Sequence, residues 1–446
     1  MPGISAANFT VTKTDDTNDG VCDADCSLRE AVHAANSKTE ANIITLPAGT
    51  YTLTLAGANE DNNATGDLDI ITPYTLSIVG VGPGRTLINA NGIDRAFHLL
   101  TGTKVISGLT IYNGRATGVG LVDGGGVYGR EANFSLINTV IYSNSASNNG
   151  AGVYVSAGDA ILKDTLIYGN AVVNFGGGVY VSSGSAVLAE TQVFSNTAGN
   201  SGGGVYVGTG SAVLTGTHIY SNAAVNNGGG VLANQGSLSL TGVTVRDNRA
   251  NFGAGVHVAA GSAVLTGTRI FSNVADNGGG GLYVSTGKAT ITGTHIFHNL
   301  SLSGGGVFVA SGSATLAVSD IRRNAAGGSG GGVYVSTGNV SLTGTTILSN
   351  SAGTTGGALY LVSSGTITAA NGCIVFNTHS AVARTNVVNG QLVATDNWWG
   401  AANGPGGAGT GNGDTVSAGV TYEPFKSAPP AGCPTLPRVY LPVVLK

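Results

Sequence analysis

Between Gly124 and Tyr360 one phrase recurs ten times: Gly-Gly-Gly-Val-Tyr-Val, a Ser/Ala/Leu/Thr stretch, Ile-Tyr-Ser-Asn, then a polar turn. The apolar residue that opens each copy falls at Val127, Val153, Val179, Val205, Val231, Val256, Leu282, Val307, Val333 and Leu359, a step of 25 or 26 residues. A fixed period of this size marks a solenoid. Each copy is one coil that cannot bury its apolar face alone and does so against its neighbours.

Within the copy that opens at Val205, side-chain alternation places Val205 and Val207 on one inner face, Ala212 and Leu214 on a second, and Thr217 and Ile219 on a third. Tyr206, Val213, His218 and Tyr220 fall on the outside. Three short strands separated by Gly, Ser-Gly and Asn-rich turns predict an all-β chain, a single parallel β-helix. Leucine-rich repeats have a similar length but need a Leu lattice that is absent here. A right-handed winding is expected from the handedness of parallel crossovers.

Stacked coils lie ~4.8 Å apart, so like residues form ladders. Asn144, Asn170, Asn196, Asn222, Asn248, Asn273, Asn299, Asn324 and Asn350 form one, where Asn tolerates a left-handed bend and its amide reaches adjacent coils. Tyr128, Tyr154, Tyr180, Tyr206, Tyr283, Phe308, Tyr334 and Tyr360 form an outward aromatic column, broken by Leu232 and His257. A second column carries Tyr142, Tyr168, Phe194, Tyr220, Phe271 and Phe297. Such columns stabilise a sheet by cross-strand pairing, or offer a docking surface for sugar rings, a cell-surface partner or another copy.

Composition agrees with a repeat protein. Gly supplies 74 of 446 residues, and charged residues only 9%. The apolar content of 42% is periodic, which excludes a disordered chain. A net charge of −4 gives no reason to expect nucleic acid, and no apolar run is long enough for a transmembrane helix. The boundaries read as an N-terminal acidic loop and capping helix at 1–41, irregular first coils at 42–123, regular repeats at 124–362, last coils at 363–431 and a tail at 432–446. Four cysteines invite the simplest pairing, Cys22 with Cys26 and Cys373 with Cys433, which suits an oxidising, extracellular or cell-surface location; free thiols are the alternative. The tail could cap the last coil, anchor the protein or pair with another subunit as an edge strand.

Ser27 and Glu30 have capping-box spacing, and Leu28, Val32 and Ala35 share one helical face, so a short helix is expected to cover the open first coil. The segment Cys26-Ser27-Leu28-Arg29-Glu30-Ala31, followed by Asn36, resembles the signature of bacterial CSLREA-domain proteins. Glu60-Asp61 and Gly66-Asp67-Leu68-Asp69-Ile70 extend that resemblance over the first hundred residues or so. The coils are similar to the GGAI and FxxN repeats of polymorphic outer membrane proteins, here Gly356-Gly357-Ala358-Leu359 and Phe194-Ser195-Asn196. Asn397-Trp398-Trp399-Gly400 with Gly404-Pro405 resembles a motif near the end of bacterial right-handed β-helices. These resemblances imply secreted or surface-attached proteins, some of them adhesive, and carry over no catalytic residues.

For chemistry the chain offers little. Asp164 and Glu190 occupy equivalent positions in successive copies, with a solvated turn as the plain reading. Asp15, Asp16, Asp19, Asp23 and Asp25 have the oxygen density of a structural calcium site, and Glu60, Asp61, Asp67 and Asp69 form a second acidic group. The expectation is a non-catalytic secreted or cell-surface rod for adhesion or surface structure, with self-assembly into filaments through the chain ends as a variant. No cofactor beyond that calcium is expected. The alternative is a carbohydrate-active enzyme, a polysaccharide lyase or glycoside hydrolase.

Overall fold

Each apolar-alternating stretch finds its partner one coil away, in parallel and in register. The structure, a computed structural model, describes residues 7–434 other than 59, 119, 121, 363, 380, 381 and 385–390, with the backbone alone for 382–384. Residues 435–446, most of the tail considered above, lie outside the described residues. The chain divides into two compact units, Met1–Arg269 and Ile270–Lys446.

In Met1–Arg269, Val179–Val181 pairs with Val205–Val207, Ser185–Ala189 with Ser211–Thr215, and Gln192–Phe194 with His218–Tyr220. In Ile270–Lys446 the same three pairings recur, as Leu282–Val284 with Val307–Val309, Lys288–Thr292 with Ser313–Ala317, and His295–Phe297 with Asp320–Arg322. The inner faces are those read from alternation: Val205, Val207, Ala212, Leu214, Thr217 and Ile219 are all buried. Fully burying one Val, Leu or Ile contributes roughly 1.5–3 kcal/mol. Thr217 is accommodated because its hydroxyl donates to Leu188 O at 3.0 Å.

The three strands expected per coil become four. Thr197–Ala198 pairs with Ala223–Ala224, and Ala325–Ala326 with Ser351–Ala352. A two-residue strand is too short to show alternation in sequence. It forms because Ala198 and Ala224 turn inward and are buried.

The Asn ladder exists, with one correction. Asn170 Nδ2 donates to Asn196 Oδ1 at 2.9 Å, Asn196 to Asn222 at 3.0 Å and Asn222 to Asn248 at 3.1 Å. In the second unit the run from Asn273 to Asn299, Asn324, Asn350 and Asn377 repeats this at 3.0 Å per step. The left-handed residue is not the Asn but the one before it: Ser195 has φ 52° and Ser221 φ 54°. That bend sends the following side chain into the coil. The amide then bonds both ways, with Asn196 Nδ2 also donating to Ile167 O at 2.9 Å. Asp414 ends the ladder: its carboxylate accepts from Phe376 N, Asn377 N and Asn377 Nδ2, while burial pushes its pKa up to about 6.

The glycine triplets turn the corner after that ladder. Gly202 takes φ +69°, and a Cβ on Gly204 would stand 2.6 Å from Gly230 O of the next coil.

The capping helix spans Leu28–Asn36 and starts with both capping-box bonds, Glu30 N to Ser27 Oγ at 3.1 Å and Ser27 N to Glu30 Oε2 at 2.7 Å. It lies against the strands Ala7–Thr10, Asn42–Leu46 and Leu68–Ile70. Among the described residues no helix is long and apolar enough to cross a membrane.

Replacing Asn196 by Ala leaves Asn170 N buried without its acceptor, a cost of about 1–3 kcal/mol, and removes the amide bond to Ile167 O, worth about 1 kcal/mol. The expected loss is about 2–4 kcal/mol, read as a lower denaturation midpoint at unchanged slope. A shift below about 0.5 kcal/mol, within the range of ordinary surface substitutions, would show that the ladder does not support the coils.

Candidate functional site

The coils before Gly124 lack the glycine triplet but keep its register. Leu68–Ile70 pairs with Phe97–Leu99, and Phe97–Leu99 with Val127–Gly129. Asp69, His98 and Tyr128 therefore stand one above another, at the head of the tyrosine column. Leu-Asp-Ile and Phe-His-Leu are apolar–polar–apolar triplets of the same kind as Val-Tyr-Val. Their irregular spacing hides this in the sequence, so His98 and Arg95 escape a search for clustered chemistry.

Three groups converge here. His98 Nδ1 lies 3.0 Å from Asp69 Oδ1 and 3.5 Å from Asp61 Oδ1. His98 and Asp69 are fully buried, whereas Asp61 is 49% exposed and its other oxygen lies 4.0 Å from Arg130 Nη1. The His98 ring leans on that of Tyr128 at 5.0 Å. Beside them Arg95 donates to Asp67 Oδ2 at 2.9 Å. Burial pushes Asp69 up to about 8, with the charges of Glu60 and Asp61 adding to it. Burial and the Arg95 charge hold His98 down at about 4, so its imidazole is neutral at neutral pH.

The acidic loop 15–25, considered above for calcium, uses most of its carboxylates in contacts within the protein. Asp16 is taken by Arg29, at 2.8 Å, and by the amides of Thr54 and Leu55. Asp19 accepts from Val21 N, Asp23 from Asp25 N, and Asp25 pairs with Lys13 at 2.8 Å, while Asp15 is exposed. The physical reason is that the loop wraps the helix N-terminus, and its carboxylates satisfy amides and Arg29 there. Arg29 is buried and also donates to the carbonyls of Thr65, Gly66 and Asp67, tying loop, helix and first coils together.

The tyrosine column is stacked but not open. Tyr128 and Tyr206 are 6% exposed and Tyr154 8%, with successive rings from Tyr128 to Tyr206 spaced 5.0 Å apart. Phe175, in the turn before one glycine triplet, leans over Tyr206 at 4.9 Å. Burial raises the hydroxyl pKa of Tyr128, Tyr154, Tyr180 and Tyr206. In the second unit Tyr283, Phe308, Tyr334 and Tyr360 are partly covered, at ring spacings of 4.9, 4.5 and 5.3 Å. The second column stacks too, with Tyr168, Phe194 and Tyr220 each 4.8 Å apart and partly exposed. Ring stacking of this kind adds cross-strand stabilisation in both columns.

Asp164 and Glu190 sit exposed at one left-handed turn position, φ 51° and 48°, which Gly216 and Gly242 fill in the next copies. That is a turn requirement rather than an acid/base pair. Both disulfides form, Cys22–Cys26 and Cys373–Cys433, with Cα separations of 4.5 and 5.9 Å. Lys104 is fully buried, its ammonium donating to Thr72 O at 2.7 Å and Tyr74 O at 3.0 Å; burial pushes it down to about 8.

The family model described as "Right handed beta helix region" matches residues 95–270 and 228–397. No curated protein matches the sequence. Among solved structures, the A-module of a mannuronan C-5 epimerase of Azotobacter vinelandii is similar to this chain at a TM-score of 0.38 and 17% identity, over 90% of this chain and 93% of that one.

Lys104 sets a pH dependence. Its folded pKa, about 8, lies below its ordinary 10.5, so between these values the unfolded chain holds more protons and stability rises with pH. Thermal unfolding from pH 8 to 10 is expected to show a steeper rise, or shallower fall, in wild type than in Lys104→Met. Parallel curves would show that the ammonium is not desolvated.

Proposed function

We propose that this chain, which belongs to the right-handed β-helix family, serves outside the cytoplasm as a non-catalytic surface structure, an adhesion or scaffold element. One observation carries the reading: the buried polar groups of the chain serve the fold itself. The Asn ladder, Arg29, Asp69, His98 and Lys104 are all buried and bonded to the fold's own backbone or to one another. The outward strand positions of Ser211–Thr215 and Ser237–Thr241 carry Ser, Val and Thr. Such a surface can present a regular, weakly charged face to a polysaccharide or a cell-surface partner.

Location outside the cytoplasm is supported by the cysteines, all four of which pair. Disulfides persist in oxidising compartments and are rare in a reducing cytosol.

A second reading, a carbohydrate-active enzyme, is favoured by one feature. Asp69, His98 and Tyr128 stack on successive coils, with Asp61 and Arg130 reaching solvent beside them. Glycan chemistry of that class uses neighbouring acid and base groups.

Labelling intact cells with antibody against the protein is expected to stain them without permeabilisation. In parallel, reducing-sugar and unsaturated-product assays over acidic and neutral polysaccharides are expected to show no turnover. Turnover lost in His98→Gln, with that variant still folded, would replace the structural reading by the enzymatic one.

A further inference from the structure

We propose that Asp61, Asp69 and His98 form a three-ligand site for a divalent transition ion of the zinc or manganese class. The site is independent of the role proposed above.

The spacing fits an ion. One donor atom from each residue lies within 4.8 Å of the others, and His98 Nδ1 stands 3.0 and 3.5 Å from the two carboxylates. Two donors each ~2.1 Å from a common ion, at angles between square and tetrahedral, are about 3.0–3.4 Å apart. An ion can therefore enter with side-chain adjustment alone.

The donor set selects the metal. One imidazole with two carboxylates suits zinc, manganese or iron, whereas calcium prefers an all-oxygen shell of six or more.

Charge and burial point the same way. Asp16 occupies Arg29, and Asp67 occupies Arg95 Nη1, while Asp61 meets Arg130 only at 4.0 Å, both side chains being 49% exposed. Asp69 is fully buried, with Oδ1 3.0 Å from His98 Nδ1 and Oδ2 accepting from Asn63 N at 3.2 Å. His98 is itself fully buried, and its Nε2 has no hydrogen-bond partner. The ring is thus anchored through Nδ1, at the carboxylates. A divalent ion held at these donors would supply the counter-charge for a buried Asp69 carboxylate. Asp61 leads to solvent, which supplies an entry path and a water for the remaining coordination position.

The test uses the full chain stripped with a chelator and dialysed, then titrated separately with Co2+, Zn2+, Mn2+ and Ca2+. Co2+ serves as the visible-spectrum probe of zinc-type geometry. The expected result is one bound Co2+ with d–d absorption of a low-coordinate site, displaced by Zn2+, together with a raised melting temperature. Asp61→Asn, at a half-exposed position that leaves the fold intact, is expected to weaken binding by at least about tenfold, since losing even an outer-shell partner costs that much. His98→Gln is expected to abolish the absorption band. The proposal is overturned if wild type binds none of Co2+, Zn2+ and Mn2+ at millimolar concentration, if Ca2+ alone binds, or if Asp61→Asn binds as wild type does. Should His98→Gln fail to fold, Asp61→Asn decides.

Discussion

Everything in this molecule depends on main-chain hydrogen bonds running in register between successive coils. Parallel pairing leaves no freedom in what lies above a residue: it is the residue at the same position of the next copy. A side chain must therefore be compatible with its own likeness ~4.8 Å away. Val, Leu and Ile meet this inside by close packing, Tyr and Phe outside by ring stacking, and Asn by an amide that both donates and accepts. Like charges that close repel, so Asp over Glu occurs at an exposed turn, as at Asp164 and Glu190, rather than inside. The low charge of the repeats follows from stacking before any question of function arises.

Much of this could be read in the sequence, for physical reasons. Alternation in Ala212-Val213-Leu214 reports which side is buried because that strand has one dry face, with Val213 exposed on the other. The capping box at Ser27 and Glu30 is local, and local chemistry needs no knowledge of the fold. Three features depended on distant parts of the chain and were not visible. The fourth strand, such as Thr197–Ala198, is too short to carry a period. The cover over Tyr206 comes from Phe175, on the preceding coil's turn, which no pattern within one repeat connects to it. The meeting of Asp69 with His98 requires knowing that two irregular segments keep the register of the regular ones. Of the site residues, Asp61 and Asp69 were recognisable as acidic and His98 was not recognisable at all.

The N-terminal end shows what happens where repetition stops. Among the described residues no coil precedes the first one to satisfy its backbone or cover its apolar interior. A short helix supplies the cover, and Arg29 supplies the donors, reaching three successive carbonyls from Thr65 to Asp67 while Asp16 balances its charge. Buried ionic groups are dense here because irregular backbone leaves polar atoms that only side chains can reach. In the second unit, where its own Asn run ends, Asp414 plays a complementary part, its two oxygens receiving the amides of Phe376 and Asn377.

The repeats also reveal where they tolerate change in length. Asn222 and Asn248 are 26 residues apart, yet the next bridge, Asn227 to Phe252, spans 25, so one residue is lost in the turn just after the ladder. The strands on either side keep their pairing. A single-residue slip is thus absorbed at one hinge of each coil, while gain or loss of an entire coil leaves every surviving bond with an equivalent partner. Descendants of such a gene can change their number of coils by unequal recombination without passing through a misfolded intermediate, so coil count becomes an evolutionary variable almost free of structural penalty.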